Sequence, residues 1–395
     1  MISVDEAIDH ILSGVTSIGA EFVSLSALPG RIAASDVIAH MTQPPFSASA
    51  MDGYAVQFSS AGQGAVLSII GEAPAGVPFD GCVGPNEAVR IFTGGVVPEG
   101  ANHVIIQEDV VRECDVIRVN SEQQSPAHIR PAGVDFQSGD VIVGEGTRFH
   151  EIHGAICAAA NIGKVSVRRR PKVALFSNGD ELVEPGSELT SGQIVNANHF
   201  ALSAMIKRWG GEPIYLGCAP DDEAALCRFF ERGQDADIIV PIGGASVGDY
   251  DFVKSAFAAV GGTIVFSKIA VRPGKPTWFG NIDKTRVIGL PGNPASAIVT
   301  AALFLQPLVR KLAGEDFKSA REIASLKEAI AANGARESYL RAQMFETDNK
   351  LEVVASPNQD SSLLLPFDLA DALIRCPANA SALSAGHEVE IIRLR

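Results

Sequence analysis

The middle of the chain alternates short apolar runs with segments of helical spacing. Strands are predicted at 172–177, 213–219, 237–242, 263–267 and 286–290, and helices near 197–209, 222–232, 251–260 and 295–312. Apolar runs of five to seven residues are typical of strands that are buried in a parallel sheet. Regular alternation of strand and helix therefore predicts an α/β sandwich with a mostly parallel sheet.

The flanking regions have other patterns. Ser3 and Glu6 predict a capping box that opens an N-terminal helix. Short β-like runs separated by glycine and proline predict a small β domain, with strands at 66–70, 88–92, 104–107 and 116–119. A helix at 152–160 and a strand near 165–167 follow. Residues 318–333 are predicted to be polar and partly helical, and alternating runs from 339 to the end predict a small β-barrel-like domain.

Composition restricts the class of partner. The 395 residues are 46% hydrophobic and 20% charged, with a net charge of −14. This charge argues against nucleic acid or an anionic membrane as a partner, and no apolar run is expected to span a bilayer. The acidic N-terminus lacks signal-peptide features, and the six cysteines form no CxxC, which together favour reduced thiols in a cytoplasm. An anionic ligand would need local cations, and the loop at 271–276, VRPGKP, supplies them.

Two glycine-rich turns follow predicted strands. The first lies in DIIVPIGGASVGDYD (237–251), and the second lies in the LPGNP segment (290–294) before a long apolar helix. A strand, a glycine turn and a helix start together form an anion cradle, because backbone N–H groups point towards the ligand. Ligands of parallel sheets bind beyond the carboxyl ends of the strands, so both loops predict one site for a phosphate-bearing ligand. Neither loop matches a Walker or dinucleotide fingerprint.

Six ordered motifs carry a family resemblance. GGASVGDYD (243–251) and GLPGNPAS (289–296) resemble the molybdopterin-binding domain of the molybdenum cofactor synthesis enzymes. SAMDGYA (49–55), RIFTGGVVPEGA (90–101), SNGDEL (177–182) and VRPGKP (271–276) resemble one branch, the molybdopterin molybdenumtransferases, which include the E-domain of gephyrin. The resemblance covers nearly the whole chain and is weakest in its last seventy or so residues.

The resemblance implies four bodies. Residues 1–20 and 133–170 would form a discontinuous linker and dimerisation domain, interrupted by a small β domain at 21–132. Residues 171–318 would be the molybdopterin-binding α/β domain, and 319–395 a C-terminal β domain. The implied partner is a second copy of the chain, with an active site shared between the two subunits. Other molybdenum cofactor synthesis proteins are further candidate partners.

The resemblance also implies a reaction and its residues. Molybdenum from molybdate would enter adenylylated molybdopterin, with release of AMP. Asp52, Asp135, Glu181, Asp221 and Asp251 match acids of the family's site, and Glu181, Asp221 and Asp251 are assigned to a bound Mg²⁺. The expected substrate-binding residues are Thr93, Gly243, Gly244, Ser246, Gly248, Lys268, Arg272, Lys275, Pro291, Gly292, Asn293, Ser296, Arg341 and Ser361. Arg272 replaces a lysine that some family members carry, which keeps the charge but changes its geometry.

Several alternatives stay open. Asp52 in an Asp-Gly pair is equally typical of a structural turn, and Thr93 could simply cap its own turn. Asp221 and Asp251 each lie where a helix N-cap is expected. For the whole chain, the alternatives to molybdenum insertion are the preceding adenylyl transfer, which uses the same α/β domain, and a non-catalytic molybdopterin-binding scaffold.

Overall fold

The computed structural model describes residues 1–244, 252–315, 321–347 and 350–395. At its centre is a six-stranded sheet, in the order Glu212–Ala219, Lys172–Asn178, Ile238–Ile242, Thr285–Gly289, Trp278–Ile282 and Thr263–Phe266. Trp278–Ile282 runs opposite in direction to the other five strands. The predicted mostly parallel sheet is confirmed. The prediction missed Trp278–Ile282, since Gly280 and Asn281 weaken the strand pattern; Gly280 is required there because a Cβ would lie 2.5 Å from the Thr263 carbonyl oxygen.

Helices cover both faces of this sheet. They are Asn198–Arg208, Glu223–Gly233, Phe252–Ala259, Pro294–Thr300 and Gln306–Leu312, with a π-helical turn at Ala301–Leu305 joining the last two. Phe304 and Leu308 lie in the core on one face, and Phe230 and Phe257 in the core on the other. The segment Pro294–Leu312 is long and apolar enough to cross a membrane, contrary to the expectation from sequence, but 83% of its apolar window is buried inside the protein.

The N-terminal residues pack in two places. The helix Val4–Leu12 begins with the predicted capping box: Glu6 N donates to Ser3 Oγ at 3.2 Å, and Ser3 N donates to Glu6 Oε2 at 2.8 Å. Its buried face joins the α/β core. Residues 28–39 instead pack with 136–167 around Phe149, which differs from the predicted boundary at residue 21. This body contains Ala20–Ser24 paired with Lys164–Arg168, Val37–Ile38 paired with Val141–Val143, the 3-10 turn Leu25–Ala27 and the helix Glu151–Ala159.

The β body has a six-stranded sheet. Its order is His103–Ile106, Gly53–Val56, Glu87–Ile91, Val66–Ala73, Val116–Val119 and Val110–Glu113. Ala48–Ser49 pairs with Ile129–Arg130, and the 3-10 turns are Phe58–Ser60 and Gln107–Asp109. Gly53 begins a strand rather than forming a turn. Only glycine fits there, because a Cβ would lie 2.0 Å from the Ile105 carbonyl oxygen across the sheet.

The C-terminal residues form a closed five-stranded barrel. Its strands follow in the order Glu337–Thr347, Lys350–Ala355, Arg321–Leu326, Glu388–Arg393 and Ala372–Cys376, which pairs again with the first. The 3-10 turn Leu365–Phe367 lies outside the strands. The helical prediction for 318–333 is wrong at Arg321–Leu326. Helix-forming residues there are overridden by antiparallel pairing with Glu388–Arg393, which closes the barrel.

Candidate active site

A cleft of about 890 Å³ lies between the carboxyl end of the α/β sheet and the barrel. The two glycine loops, the cationic loop and one barrel loop all reach it. Its lining includes Ser177, Asn178, Glu181, Asn196, Asn198, Gly243, Gly244, Arg272, Lys275, Pro291, Gly292, Asn293, Ser296, Arg336, Asp360, Ser361 and Ser362. The sheet explains this convergence. Trp278 pairs with Gly289 in antiparallel register, so the loop before Trp278 emerges at the edge where the parallel strands end.

The two glycine loops are in contact. The backbone N–H of Gly243 donates to the Leu290 carbonyl oxygen at 3.0 Å, and a Cβ on Gly292 would lie 3.5 Å from Gly243 Cα. Gly292 is itself exposed to the cleft, and its carbonyl accepts from Asn198 Nδ2 at 2.7 Å. Asn293 then occupies the N-cap position of the helix that begins at Pro294, without a side-chain capping hydrogen bond. The predicted cradle residues Gly243, Gly244, Pro291, Gly292, Asn293 and Ser296 therefore line one cleft.

Cationic side chains meet the glycine loops from the barrel side. Arg272 is exposed and Lys275 half-buried, and both line the cleft. Sequence reasoning missed Arg336, which lies beside them and donates from Nη1 to the Val271 carbonyl oxygen at 3.3 Å. The pairing of Val271–Arg272 with the start of a barrel strand brings the two segments together. No local sequence signal places residue 336 next to residue 272.

Ser361 joins the barrel to the second glycine loop. Asn293 Nδ2 donates to Ser361 Oγ at 3.0 Å, and Ala295 N donates to the Ser361 carbonyl oxygen at 2.9 Å. Neighbouring Asp360 accepts from Ser362 Oγ and N, and these hydrogen bonds lower the pKa of Asp360. The barrel loop is thus held against the mouth of the cleft.

Arg341 is not among the described residues that line the cleft. Its side chain is 2% exposed, and it donates to Gln359 Oε1 and to the carbonyl oxygens of Asn358, Asp360 and Leu363. These acceptors occupy the guanidinium, so the expectation that Arg341 contacts substrate directly needs correction. The residue holds the loop that carries Ser361.

The predicted acids lie in separate places. Glu181 lines the cleft. Asp221 is not among the described residues that line the cleft, but it contacts one that does: Asn178 Nδ2 donates to Asp221 Oδ1 at 2.8 Å. Asp221 N also donates to Asp180 Oδ1 at 3.1 Å. The alternative that Asp221 caps a helix is wrong, because Asp222 caps Glu223–Gly233 by accepting from Ala225 N at 2.7 Å.

The pKa of Cys218 is affected by the acidic residues around Glu181 and Asp221. Burial, followed by repulsion from Glu184, Glu181, Asp221 and Asp180, raises the pKa of the Cys218 thiol to about 11. All four acids therefore lie near enough to Cys218 to oppose a negative charge there. Within 1–244, 252–315, 321–347 and 350–395, no three His, Cys, Asp or Glu residues are grouped closely enough to hold a metal ion by themselves.

Asp52 and Thr93 interact within the β body. Thr93 N and Oγ1 donate to Asp52 Oδ1 at 2.7 and 2.8 Å, and the backbone hydrogen bond contributes most to lowering the pKa of Asp52. Neither residue lines the cleft of its own chain, as far as the described residues show. Asp135 lines a second groove, with Val141 and Ile156. Lys268 accepts at its carbonyl from Ile2 N and is also absent from the cleft lining.

Ser246, Gly248 and Asp251 lie outside the described residues. Their predicted roles, and the alternative that Asp251 caps a helix, therefore stay predictions.

The chain is similar to known proteins over nearly its whole length. Family models match for the MoeA N-terminal region (domain I and II) at residues 2–161, a probable molybdopterin binding domain at 174–311 and the MoeA C-terminal region (domain IV) at 324–394. A molybdopterin molybdenumtransferase from Haemophilus influenzae is 36% identical over 400 residues, covering 99% of this chain and 98% of that protein. One from Nostoc is 34% identical, covering 95% and 88%. The crystal structure of a molybdopterin biosynthesis moea protein from Pyrococcus horikosii superposes with a TM-score of 0.87 at 32% identity, covering 100% of this chain and 99% of that one.

Proposed function

Because the chain belongs to the molybdopterin molybdenumtransferase family, we propose that it inserts molybdenum from molybdate into adenylylated molybdopterin and releases AMP. The observation that carries this proposal is the cleft in which two glycine loops in mutual contact meet Arg272, Lys275 and the barrel loop. A phosphoanhydride needs backbone donors, and an oxyanion needs cations. The cleft supplies both within one space.

Different residues of the cleft would bind the phosphates and the molybdate. Gly244 and Gly292 would offer backbone N–H groups to the phosphates. The Gly243 N–H already donates to the Leu290 carbonyl oxygen, so Gly243 contributes the close packing of the two loops. Arg272, Lys275 and Arg336 neutralise molybdate, and the Ser296 and Ser361 hydroxyls donate to its oxygens. Arg341 acts through the Ser361 loop that it holds.

The proposed Mg²⁺ would lie at the acidic edge of the cleft, where Glu181 lines the cleft and Asp221 lies beside the lining. Glu181 and Asp221 offer carboxylate oxygens, the ligands that this ion prefers, and Asp251 is the proposed third ligand. Mg²⁺ usually keeps several waters and takes ligands from substrate phosphates, so few protein ligands suffice. When bound, the ion neutralises phosphate charge and lowers the pKa of a coordinated water. The carboxylates would orient that water towards the phosphoanhydride.

We further propose that two copies of the chain complete each site. Val141 lines the groove that contains Asp135 and is 55% exposed. Val134 precedes Asp135 in the chain, and Ile152 lies one helical turn before the groove residue Ile156; they are 62% and 61% exposed. Exposed apolar residues clustered in this way are typical of a surface that another protein covers. A two-fold dimer through this face would bring Asp52, Thr93 and Asp135 of one copy to the cleft of the other.

The dimer proposal is tested with Asp52→Ala and Glu181→Ala chains. Each variant alone should be inactive, because both sites of its dimer lack an acid. After subunit exchange, half of the dimers are mixed and each has one intact site, so roughly a quarter of wild-type activity should return. Mixed dimers, verified by differential tags, that stay as inactive as the parents would refute the shared site.

The reaction is tested by incubating the chain with adenylylated molybdopterin, Mg²⁺ and molybdate. We expect AMP release that depends on molybdate, and a Lys275→Ala variant with a raised KM for molybdate. Consumption of ATP with free molybdopterin would instead indicate adenylyl transfer, and binding without AMP release would indicate a scaffold.

All six cysteines are free thiols, and the cytoplasmic location inferred from sequence stays a prediction.

A further inference from the structure

Asn178 lies at the carboxyl end of the strand Lys172–Asn178 and lines the cleft. It is only 5% exposed. Its Nδ2 faces three oxygens: Asp221 Oδ1 at 2.8 Å and the carbonyl oxygens of Ala219 and Pro220, each at 3.4 Å. Because all three are acceptors, the orientation of the amide is fixed. Asp221 is therefore held by a buried donor that belongs to the neighbouring strand.

The other side of Asn178 contacts the first glycine turn. A Cβ on Gly244 would lie 2.3 Å from Asn178 Oδ1, and one on Gly243 would lie 2.7 Å from the Asn178 carbonyl oxygen. Both glycines have positive φ, at +65° and +98°. The turn approaches Asn178 so closely that only glycine fits at these two positions. One side chain thus touches both the acid and the phosphate cradle.

We infer that Asn178 is a positioning residue that fixes the Asp221 carboxylate relative to the Gly243–Gly244 turn. The inference rests on the proposed function, in which Asp221 orients water or metal and the turn holds phosphate. Asp180 anchors the backbone N–H of Asp221, and Asn178 anchors its Oδ1. Asp221 Oδ2 makes no hydrogen bond to the part of the chain that the structure describes, so the anchored acid keeps one oxygen for a ligand.

The chemistry of the position requires an amide. A donor must face the Asp221 carboxylate and two carbonyls, and the group must be uncharged because it is buried. Aspartate has the same shape, but an ionised one has no proton to donate. Alanine leaves the space without a donor. Comparing asparagine, aspartate and alanine at position 178 therefore separates the effects of shape, charge and hydrogen bonding.

The test compares Asn178→Asp, Asn178→Ala and the exchange Asn178→Asp/Asp221→Asn in the AMP-release assay across pH. In Asn178→Asp, two carboxylates lie about 2.8 Å apart and cannot both stay ionised, so the pair takes up a proton. We expect kcat at pH 7 to fall at least about tenfold, with KM changed less than about threefold. The acidic limb of the pH–rate profile should move up by about one unit or more. Asn178→Ala should lower kcat without moving that limb.

The exchange variant separates positioning from packing. Its amide at position 221 would donate to its carboxylate at position 178, which restores that one hydrogen bond. The Ala219 and Pro220 carbonyl oxygens would still lack the donor that Asn178 provides, so thermal stability should return only in part. It should not restore kcat, because the carboxylate has moved to the wrong strand. A folded Asn178→Asp with the wild-type pH profile, or an exchange variant with wild-type activity, would overturn the inference.

A measurement without substrate keeps this test apart from the proposed reaction. A buried carboxylate at position 178 binds its proton more tightly in the folded chain, so the variant loses stability as the pH rises. We expect the difference in thermal midpoint between wild type and Asn178→Asp to widen from pH 5 to pH 8. An inactive wild type would refute the reaction alone. Equal pH dependence of unfolding in the two proteins would refute the contact between residues 178 and 221.

Discussion

The glycine cradle predicts opposite outcomes for two alanine substitutions that lie side by side. At Gly292, φ is not in the left-handed region, and the nearest atom to an added Cβ is Gly243 Cα at 3.5 Å, an ordinary contact. Gly292→Ala should therefore leave the free energy of unfolding unchanged or raise it by up to about 1 kcal/mol. At Gly243, φ is +98° and the Cβ would lie 2.7 Å from a carbonyl oxygen. Gly243→Ala should cost about 1–3 kcal/mol of stability through backbone strain.

The effect on substrate binding should be the reverse of the effect on stability. Gly292→Ala, which does not destabilise the fold, should weaken binding. The methyl group of Gly292→Ala stands on the cleft surface and holds a phosphate oxygen away from the backbone N–H groups. Losing one hydrogen bond to a charged group costs about 1.5–3 kcal/mol, which is about ten- to a hundredfold in affinity. The assay is the KM for adenylylated molybdopterin in AMP release, with urea unfolding of both variants as the control. A stable Gly292→Ala protein with the wild-type KM would refute the cradle.

Three further predictions follow from the same structure. Excess chelator should abolish AMP release and added Mg²⁺ should restore it; full activity in chelator would contradict the role of Glu181 and Asp221. Arg272→Ala should raise the KM for molybdate about tenfold and Arg272→Lys less than about threefold, because lysine keeps the charge but loses the fork; equal effects would show that geometry decides. Burial lowers the pKa of His103 below 6.5, so the stability that neutral His103 contributes is present above pH 6.5 and is lost as the pH falls. The stability of His103→Gln should therefore depend less on pH between pH 6.5 and 5. The same pH dependence of unfolding in His103→Gln and wild type would contradict this.

The sequence was most informative where function depends on local chain geometry. Each glycine loop is a strand, a turn and a helix within about twenty residues, so its place at the carboxyl edge follows from the parallel sheet. The closed barrel was visible as alternation in its later strands. It was missed at Arg321–Leu326, because the pattern there fits a helix and only pairing with a strand more than sixty residues away makes it a strand.

The sequence did not predict which side chains point into the cleft. Arg341 was expected to bind substrate, yet its guanidinium points into the barrel loop and not into the cleft. Arg336 carries no motif, yet it reaches the cleft because its segment adjoins Val271. Asn178 lies three residues before the predicted acid Glu181 in the SNGDEL segment, but its contact with Asp221 spans 43 positions. These three outcomes depend on tertiary pairing, which one sequence does not show.

The order of charges along the sheet edge explains how an acidic chain can bind two anions. Glu181 and Asp221 follow the strands Lys172–Asn178 and Glu212–Ala219, the glycine loops follow the next two strands, and Arg272 and Lys275 lie in the loop beyond them. A phosphoanhydride on the glycine loops would thus have acids, with their proposed Mg²⁺, at one end and cations for molybdate at the other. The net charge of −14 opposes binding only weakly, because exposed charges farther away than about 8 Å are screened at physiological ionic strength. Local order along the edge, rather than total charge, therefore determines which anion binds where.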